Sequence, residues 1–241
     1  MNAMILAAGR GNRLMPLTKH IPKPLIKING KSILRQQLDG LHNAGFLNVV
    51  INISYLGHLI LKEFGYRHKG LNISYSFEPT QPLETAGGIA FAKPWRLLGQ
   101  PFLVINSDII CDWPLSKALR ISSDGFLKKK LAYLVLTSSM SHHGDFYLSK
   151  NTVFNTVGDQ STNRSHKLTF TGIGIYRPEF FNGVRRGTSR SLRDVLIPAI
   201  GEGLVMGEYH DGIWEDIGTK ENLKRIENIY KSREEKVDER N

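Results

Sequence analysis

The sequence predicts an α/β fold in which helices cover both faces of a mostly parallel central sheet. Two observations support this prediction: short apolar runs alternate along the chain with segments of helical periodicity, and glycines or polar residues follow the runs. With 241 residues and 41% hydrophobic side chains, the chain is large enough for one substantial core. We expect a single domain over residues 1–230 and a charged, frayed tail over residues 231–241.

The predicted elements follow one another in βαβ order. Apolar runs predict strands at residues 3–8, 47–53, 72–77, 102–106, 131–136, 168–176, 205–209 and 214–216. Helical spacing predicts helices after Ser32, near His58, after Gly88, at Pro114 with Asp112 as its cap, after Ser191 and after Thr219. The polar segment 141–167 contains two short apolar runs, which predict a small hairpin laid over the sheet.

The most informative stretch follows the first predicted strand. The apolar run 3–8 leads into Gly9 and Gly11, which predicts a loop whose backbone N–H groups approach an anion. The dinucleotide fingerprint and the P-loop are both excluded, because each lacks one glycine that it requires. The fixed cations Arg13 and Lys23 follow in the sequence, so phosphate is the expected ligand.

A carboxylate follows the clearest core strand. Asp108 comes directly after the run 102–106 and Ser107. Ligands of open α/β sheets bind beyond the carboxyl ends of the strands, and Mg²⁺ prefers one or two carboxylates together with phosphate oxygens. Asp108 therefore fits a magnesium ligand, the alternative being a strand-end cap, and Asn106 is placed to reach a nucleotide.

Composition excludes several classes of protein. The single cysteine, Cys111, rules out an intrachain disulfide and a multi-cysteine metal site. The net charge of +10 suits phosphorylated substrates, and because no stretch interleaves basic and aromatic residues we expect no nucleic-acid partner. No apolar run approaches the ~18 residues of a membrane span, and no secretory signal begins the chain. We expect no membrane partner, a cytoplasmic location, and a monomer or small homo-oligomer.

The signature L-A-A-G-x-G-x-R-L-x-P-L-T at residues 6–18, with P-K-P-L at 22–25, resembles that of the sugar-1-phosphate nucleotidyltransferases. The resemblance implies their Rossmann-like fold and the transfer of a nucleotide from a nucleoside triphosphate to a sugar 1-phosphate. It implies three catalytic residues: Arg13 to hold pyrophosphate, Lys23 to stabilise charge at the α-phosphate, and Asp108. It also implies a nucleotide site formed by Ala8, Gly9, Gly11, Asn12, Arg13, Lys23, Glu84, Thr85, Gly88 and Asn106.

Three later segments extend the resemblance. Residues 83–87 carry the L-x-T-x-G pattern of the loop that recognises the base, and W-x-D-x-G-T at 214–219 resembles the second metal motif. Asp108 and Asp216 would then bind one Mg²⁺. Asp145 falls where relatives contact the sugar. Thr171 and Gly172 lie in the predicted strand 168–176, whose glycines let a large ligand approach the backbone, so we expect them to line the sugar pocket. The Tyr-Glu-Lys-like element of many relatives is missing here.

The short chain and the segments 82–88, 142–146 and 168–173 look most like the bacterial N-acetylmuramate α-1-phosphate uridylyltransferases. The implied substrates are UTP and N-acetylmuramate 1-phosphate, in peptidoglycan recycling. The alternatives are a mannose- or heptose-1-phosphate guanylyltransferase, a glucose-1-phosphate thymidylyl- or uridylyltransferase, and a nucleotide-sensing regulatory subunit of the same fold. Because Arg13, Lys23, Asp108 and Asp216 are all present, the sequence favours an enzyme.

Overall fold

A computed structural model of the protein describes residues 1–95, 100–123, 125, 129–139, 143–156 and 167–238, the last six by their backbone alone. The strands are β1 (Asn2–Leu6), β2 (Lys27–Ile28), β3 (Lys31–Ser32), β4 (Asn48–Ile53), β5 (Arg67–His68), β6 (Leu71–Phe77), β7 (Phe102–Asn106), β8 (Ile109–Cys111), β9 (Ala132–Thr137), β10 (Tyr147–Ser149), β11 (Thr152–Phe154), β12 (Thr169–Tyr176), β13 (Val205–His210) and β14 (Trp214–Asp216). The helices are α1 (Ile33–Asn43), α2 (Gly57–Phe64), α3 (Glu84–Ala92), α4 (Ser116–Ser123), α5 (Leu192–Gly201) and α6 (Lys220–Asp238).

The central sheet of the described chain has the strand order β10-β11-β13-β9-β12-β7-β1-β4-β6-β5. Strands β1, β4, β6, β7, β9 and β13 run in one direction, and β12 runs against them between β7 and β9. This confirms the predicted mostly parallel sheet. The chain winds from β1 outward through β4 to β6 and then returns to β7 on the other side of β1, so a crevice opens at that switch point.

Helices pack on both faces of the sheet, as predicted. Ile5 of β1 is fully buried in one hydrophobic cluster with Leu34 and Leu38 of α1. Met4, the preceding residue, lies in a second cluster on the opposite face, with Ala86 and Ile89 of α3. Successive side chains of a strand point to opposite faces, so β1 contributes to both cores at once.

The predicted helix caps are confirmed in two places. Ser32 Oγ accepts a hydrogen bond from Arg35 N at 3.4 Å, and Ser191 Oγ accepts one from Asp194 N at 3.1 Å. The prediction for Asp112 is wrong: α4 begins later, at Ser116, and Asp112 instead pairs with His210 Nε2 at 2.9 Å. The sequence analysis used the nearby Pro114 as the sign of a helix start. It could not show that β13 brings His210 beside Asp112.

One other prediction about the fold needs correction. The predicted hairpin forms as β10 and β11, but it extends the edge of the sheet by pairing with β13 rather than lying over one face. The last helix, α6, runs to Asp238, and its Lys, Arg and Glu residues are good helix formers. No helix in the described ranges is long and apolar enough to cross a membrane.

Candidate active site

A cleft of about 280 Å³ lies at the carboxyl ends of β1, β4, β6 and β7. Its lining includes most of the residues predicted to bind nucleotide, namely Ala8, Gly9, Lys23, Glu84, Thr85 and Asn106, together with the predicted metal ligand Asp108. The other predicted residues, Gly11, Asn12, Arg13 and Gly88, lie outside the lining of this cleft. The position of the cleft is that expected of a ligand site at the switch point of a doubly wound sheet.

The two glycines of the first loop have different surroundings. Gly11 has φ +67°, and a Cβ there would lie 3.0 Å from Thr18 Cγ2. Thr18 is fully buried, and its hydroxyl donates to Gly11 O at 2.9 Å, so Gly11 shapes the loop. A Cβ on Gly9 would meet nothing within 4 Å. The space beside Gly9 therefore belongs to the cleft, and its backbone is accessible to an anion.

Lys23 and Asp108 form an ion pair at the edge of the cleft. Lys23 Nζ lies 2.6 Å from Asp108 Oδ2. Only 8% of Lys23 is exposed, whereas the Asp108 side chain is 34% exposed. The short helical turn Lys23–Leu25, opened by Pro22, holds the lysine there. A buried cation is thus available where phosphate anions would enter.

Asp108 and Asp216 are neighbours although they are far apart in the sequence. Strand β14 pairs with β8 so that Asp216 lies opposite Ile109, and Ile217 N donates to Asp108 O at 2.7 Å. Within the described ranges, no three or more His, Cys, Asp or Glu side chains are grouped to hold a metal ion. A metal here would have two carboxylates from the protein and would take its remaining ligands from substrate oxygens or water, which suits Mg²⁺.

Arg13 lies on the Asp216 side of this edge. A Cβ on Gly218 would lie 2.9 Å from Asp216 Oδ2 and 3.0 Å from Arg13 Nη2, so the carboxylate and the guanidinium converge on the Gly218 backbone. Any larger residue at position 218 would displace one of them. This close approach explains the glycine of the W-x-D-x-G-T motif.

The segment predicted to bind the base forms the N-terminus of α3 rather than a loop, and it is held by residues 185–190, the arginine-rich segment that precedes α5. Arg190 O accepts hydrogen bonds from Ala86 N and Gly87 N, and Arg190 N donates to Leu83 O. A Cβ on Gly87 would lie 2.4 Å from Thr188 O, so this glycine permits the close approach. The backbone of the arginine-rich segment therefore supports the first turn of α3, from which Glu84 and Thr85 enter the cleft.

Asn52 and Glu78 are among the cleft residues that the sequence analysis missed. Asn52 Oδ1 accepts from Ala7 N at 2.8 Å, and Asn52 Nδ2 donates to Glu78 Oε1 at 2.6 Å. Burial raises the pKa of the Glu78 carboxyl, although the Asn52 hydrogen bond opposes the shift. Gly88 serves this pair, since a Cβ there would lie 2.3 Å from Glu78 Oε1. The available signal was position, because both polar residues lie at the carboxyl ends of parallel strands.

The three predicted sugar residues support the backbone in this structure. Asp145 Oδ2 accepts from Phe170 N at 2.9 Å. Thr171 is fully buried and its hydroxyl donates to Val135 O at 2.8 Å, so its side chain does not face a ligand. Gly172 has φ +82° and makes room for Asn106, whose Nδ2 would lie 2.7 Å from a Cβ there. His142, in the segment that carried part of the resemblance, lies outside the described residues.

Comparison with known proteins identifies sequence relatives. Residues 2–143 match the nucleotidyl transferase family. The chain is 42% identical to the N-acetylmuramate alpha-1-phosphate uridylyltransferase of Neisseria meningitidis serogroup B (strain ATCC BAA-335 / MC58), over 94% of this chain and 97% of that protein. It is 32% identical to the mannose-1-phosphate guanyltransferase beta-A of Xenopus laevis, over 90% of this chain but 61% of that longer protein.

Solved structures share the fold. HddC from Yersinia pseudotuberculosis superposes with a TM-score of 0.73 at 21% identity, covering 95% of this chain and 99% of that one. A UDP-glucose pyrophosphorylase complexed with UDP-glucose superposes with a TM-score of 0.73 at 16% identity, covering 96% and 98%. The resemblance drawn from residues 6–25 is therefore confirmed, and the chain belongs to the nucleotidyl transferase family and is a nucleotidyltransferase.

Proposed function

We propose that this nucleotidyltransferase transfers UMP from UTP to N-acetylmuramate α-1-phosphate and releases UDP-N-acetylmuramate and pyrophosphate. The 42% identity to the Neisseria enzyme over nearly the full length of both chains supports these substrates. The observation that carries the reaction to this cleft is the juxtaposition of Lys23, Asp108 and Asp216 at its edge. The reaction would serve peptidoglycan recycling in the cytoplasm, where UTP is available.

The chemistry requires two anions to approach each other. An oxygen of the sugar 1-phosphate attacks the α-phosphorus of UTP, and pyrophosphate leaves from the opposite side. Lys23 would stabilise charge at the α-phosphate, Arg13 would hold the pyrophosphate, and the backbone at Gly9 would contact the phosphates. The acceptor phosphate is already an oxyanion near neutral pH, so the reaction needs no general base.

Asp108 and Asp216 are the residues that would hold Mg²⁺. Enzymes of this family generally use a divalent metal. Both groups are carboxylates, the ligand type that Mg²⁺ prefers. They are close in space because Asp216 lies opposite Ile109, the residue after Asp108. When bound, the cation would neutralise charge on the reacting phosphates.

Asp145 is the residue that we propose for recognition of the amino sugar. Its Oδ2 is fixed by Phe170 N, which orients the carboxylate. An aspartate accepts several hydrogen bonds, so the same group can accept from a sugar hydroxyl or an acetamido N–H. The net charge of +10 is compatible with the lactyl carboxylate of N-acetylmuramate.

The test is pyrophosphate release with Mg²⁺ from UTP, dTTP, GTP and CTP, each combined with the 1-phosphates of N-acetylmuramate, N-acetylglucosamine, glucose and mannose. We expect turnover with UTP and N-acetylmuramate 1-phosphate only. Turnover with GTP and mannose 1-phosphate would instead favour the second candidate, a guanylyltransferase, which the 32% identity to the Xenopus protein supports. No release with any pair would overturn the enzymatic proposal and favour a nucleotide sensor.

A further inference from the structure

We infer that two amide side chains, Gln37 of α1 and Asn222 of α6, are positioning residues that set the geometry of Asp108 and Asp216. The inference rests on the proposed metal role of these aspartates. Neither amide was identified from the sequence, and neither residue lies in the lining of the nucleotide cleft. Gln37 contacts the backbone of the turn that carries Asp108, and Asn222 contacts the carboxylate of Asp216.

Gln37 holds both ends of the turn that carries Asp108. Its Nε2 donates to Asn106 O at 2.8 Å and to Ile109 O at 3.2 Å, one carbonyl on each side of Ser107 and Asp108. An amide nitrogen has two hydrogens, so this arrangement uses both. Helix α1 thus fixes the turn through the Gln37 side chain. Ile217 N, which follows β14, donates a hydrogen bond to Asp108 O.

Asn222 acts on Asp216 directly. Its Nδ2 donates to Asp216 Oδ1, and only 7% of the residue is exposed. The first turn of α6 holds the asparagine, since Asn222 N donates to Thr219 Oγ1 at 3.2 Å. The hydrogen bond restricts rotation of the carboxylate about its terminal bond. Asp216 Oδ2 then keeps its position beside Arg13 and Gly218.

The chemistry of an amide explains its use at both places. The charged partners of the two carboxylates are Lys23 beside Asp108 and Arg13 on the Asp216 side. The two amides donate hydrogen bonds without adding a further positive charge, so they fix geometry and leave the charge balance at both aspartates unchanged. Outer partners of metal ligands are typically worth 10–100-fold in metal affinity or activity when they are removed.

The test compares Gln37→Leu and Asn222→Leu with Gln36→Leu as the matched control. Gln36 is the residue that precedes Gln37 in the same helix. Its Nε2 also donates to two backbone carbonyls, those of Ile28 and Lys31. We measure Mn²⁺ binding by EPR, first alone and then with UTP, the Mg²⁺ concentration for half-maximal rate, and UTP binding in EDTA.

We expect Gln37→Leu and Asn222→Leu to weaken Mn²⁺ binding and raise the Mg²⁺ requirement by roughly 10–100-fold. UTP binding in EDTA should not change, because the phosphate loop and Lys23 are untouched. Gln36→Leu should match the wild type in every measurement. If a leucine variant does not fold, Gln37→Glu and Asn222→Ala replace it, since a glutamate at neutral pH keeps the shape of glutamine but cannot donate.

The outcomes separate this inference from the proposed function. Wild-type Mn²⁺ affinity in both amide variants, or an equal loss in Gln36→Leu, would overturn the positioning role. Asp108→Asn is included in every series. If it binds Mn²⁺ as tightly as the wild type, the proposed metal site itself is wrong. If Asp108→Asn alone loses Mn²⁺, the metal site stands and the role of the two amides is rejected.

Discussion

Two halves of the central sheet use their polar residues differently: the half that we propose binds the nucleotide, called the nucleotide side, and the half that we propose binds the sugar, called the sugar side. On the nucleotide side, β1, β4, β6 and β7 run parallel, and Lys23, Glu78 and Asp108 face one cleft at their carboxyl ends. On the sugar side, β12 runs antiparallel with an irregular register, and Asp145 and Thr171 bond to backbone groups. A bulge leaves N–H and C=O groups without ladder partners, so polar side chains near it are used to satisfy them.

The comparison makes its strongest prediction at Asp108. Asp108→Asn should abolish measurable turnover, because the metal ion that would neutralise charge on the two reacting phosphates loses a carboxylate ligand. The amide oxygen of the asparagine can still accept a hydrogen bond from Lys23. Thr171→Val on the sugar side should keep activity within about tenfold, since it removes only the two neutral hydrogen bonds of a buried hydroxyl, to Val135 O and from Ile173 N, each worth ~1 kcal/mol. Pyrophosphate release measures both, and circular dichroism checks that each variant folds.

The outcome that breaks the comparison is also clear. If Asp108→Asn retains Mg²⁺-dependent turnover, the nucleotide side does not carry the chemistry in the way that we propose. If Thr171→Val is as inactive as Asp108→Asn, its hydroxyl takes part in substrate binding rather than only in support of the backbone.

The next largest effects are expected at the two cations. Arg13→Ala and Lys23→Ala should each lower the rate on the order of 10²-fold or more, as the loss of one preorganised charge contact usually does. Lys27→Ala, an exposed lysine of β2, is the matched control and should leave the rate unchanged. A wild-type rate in either test variant would remove that cation from the proposed site.

The same contrast explains what the sequence could predict. The loop from Gly9 to Lys23 is contiguous, so its residue types and spacing predict a phosphate site without any knowledge of the fold. The neighbourhood of Asp108 and Asp216 followed from family resemblance alone, because β8 and β14 are three-residue strands with no periodicity to detect. The pair was nevertheless brought together as expected.

Other features depended on contacts that no local pattern encodes. Thr171 was chosen from its place in a strand, but whether its hydroxyl points to a ligand or to Val135 O depends on the partner strand. Gly88 was predicted to be part of the nucleotide site, yet the space beside it is filled by Glu78. Gln37 and Asn222 lie on helices and act over long sequence separations, so the sequence analysis did not identify either.

Substitution of two glycines, Gly9 and Gly87, should have effects of intermediate size on UTP binding and on stability. Gly9→Ala should leave the melting temperature near that of the wild type, because its Cβ meets no protein atom, but should weaken UTP binding at least about tenfold by filling ligand space. Gly87→Ala should destabilise the fold by about 1–3 kcal/mol, because its Cβ would overlap Thr188 O. Thermal melting and UTP titration measure the two effects. Destabilisation by Gly9→Ala without loss of binding would show that Gly9 serves the loop and not a ligand.

The smallest expected effect concerns Glu78, whose half-buried carboxyl lies in the cleft on the nucleotide side. Its pKa is raised above the ordinary 4.5 by burial. Because the folded state disfavours the charged carboxylate, this destabilisation grows as the pH rises above 4.5 and disappears at lower pH, where the carboxyl is neutral in both states. Glu78→Gln keeps an acceptor for Asn52 and removes the charge, so it should raise the melting temperature slightly at pH 7. That gain should shrink as the pH falls towards 4.5, and a gain that stays constant across this range would mean that the charge of Glu78 is not its cause.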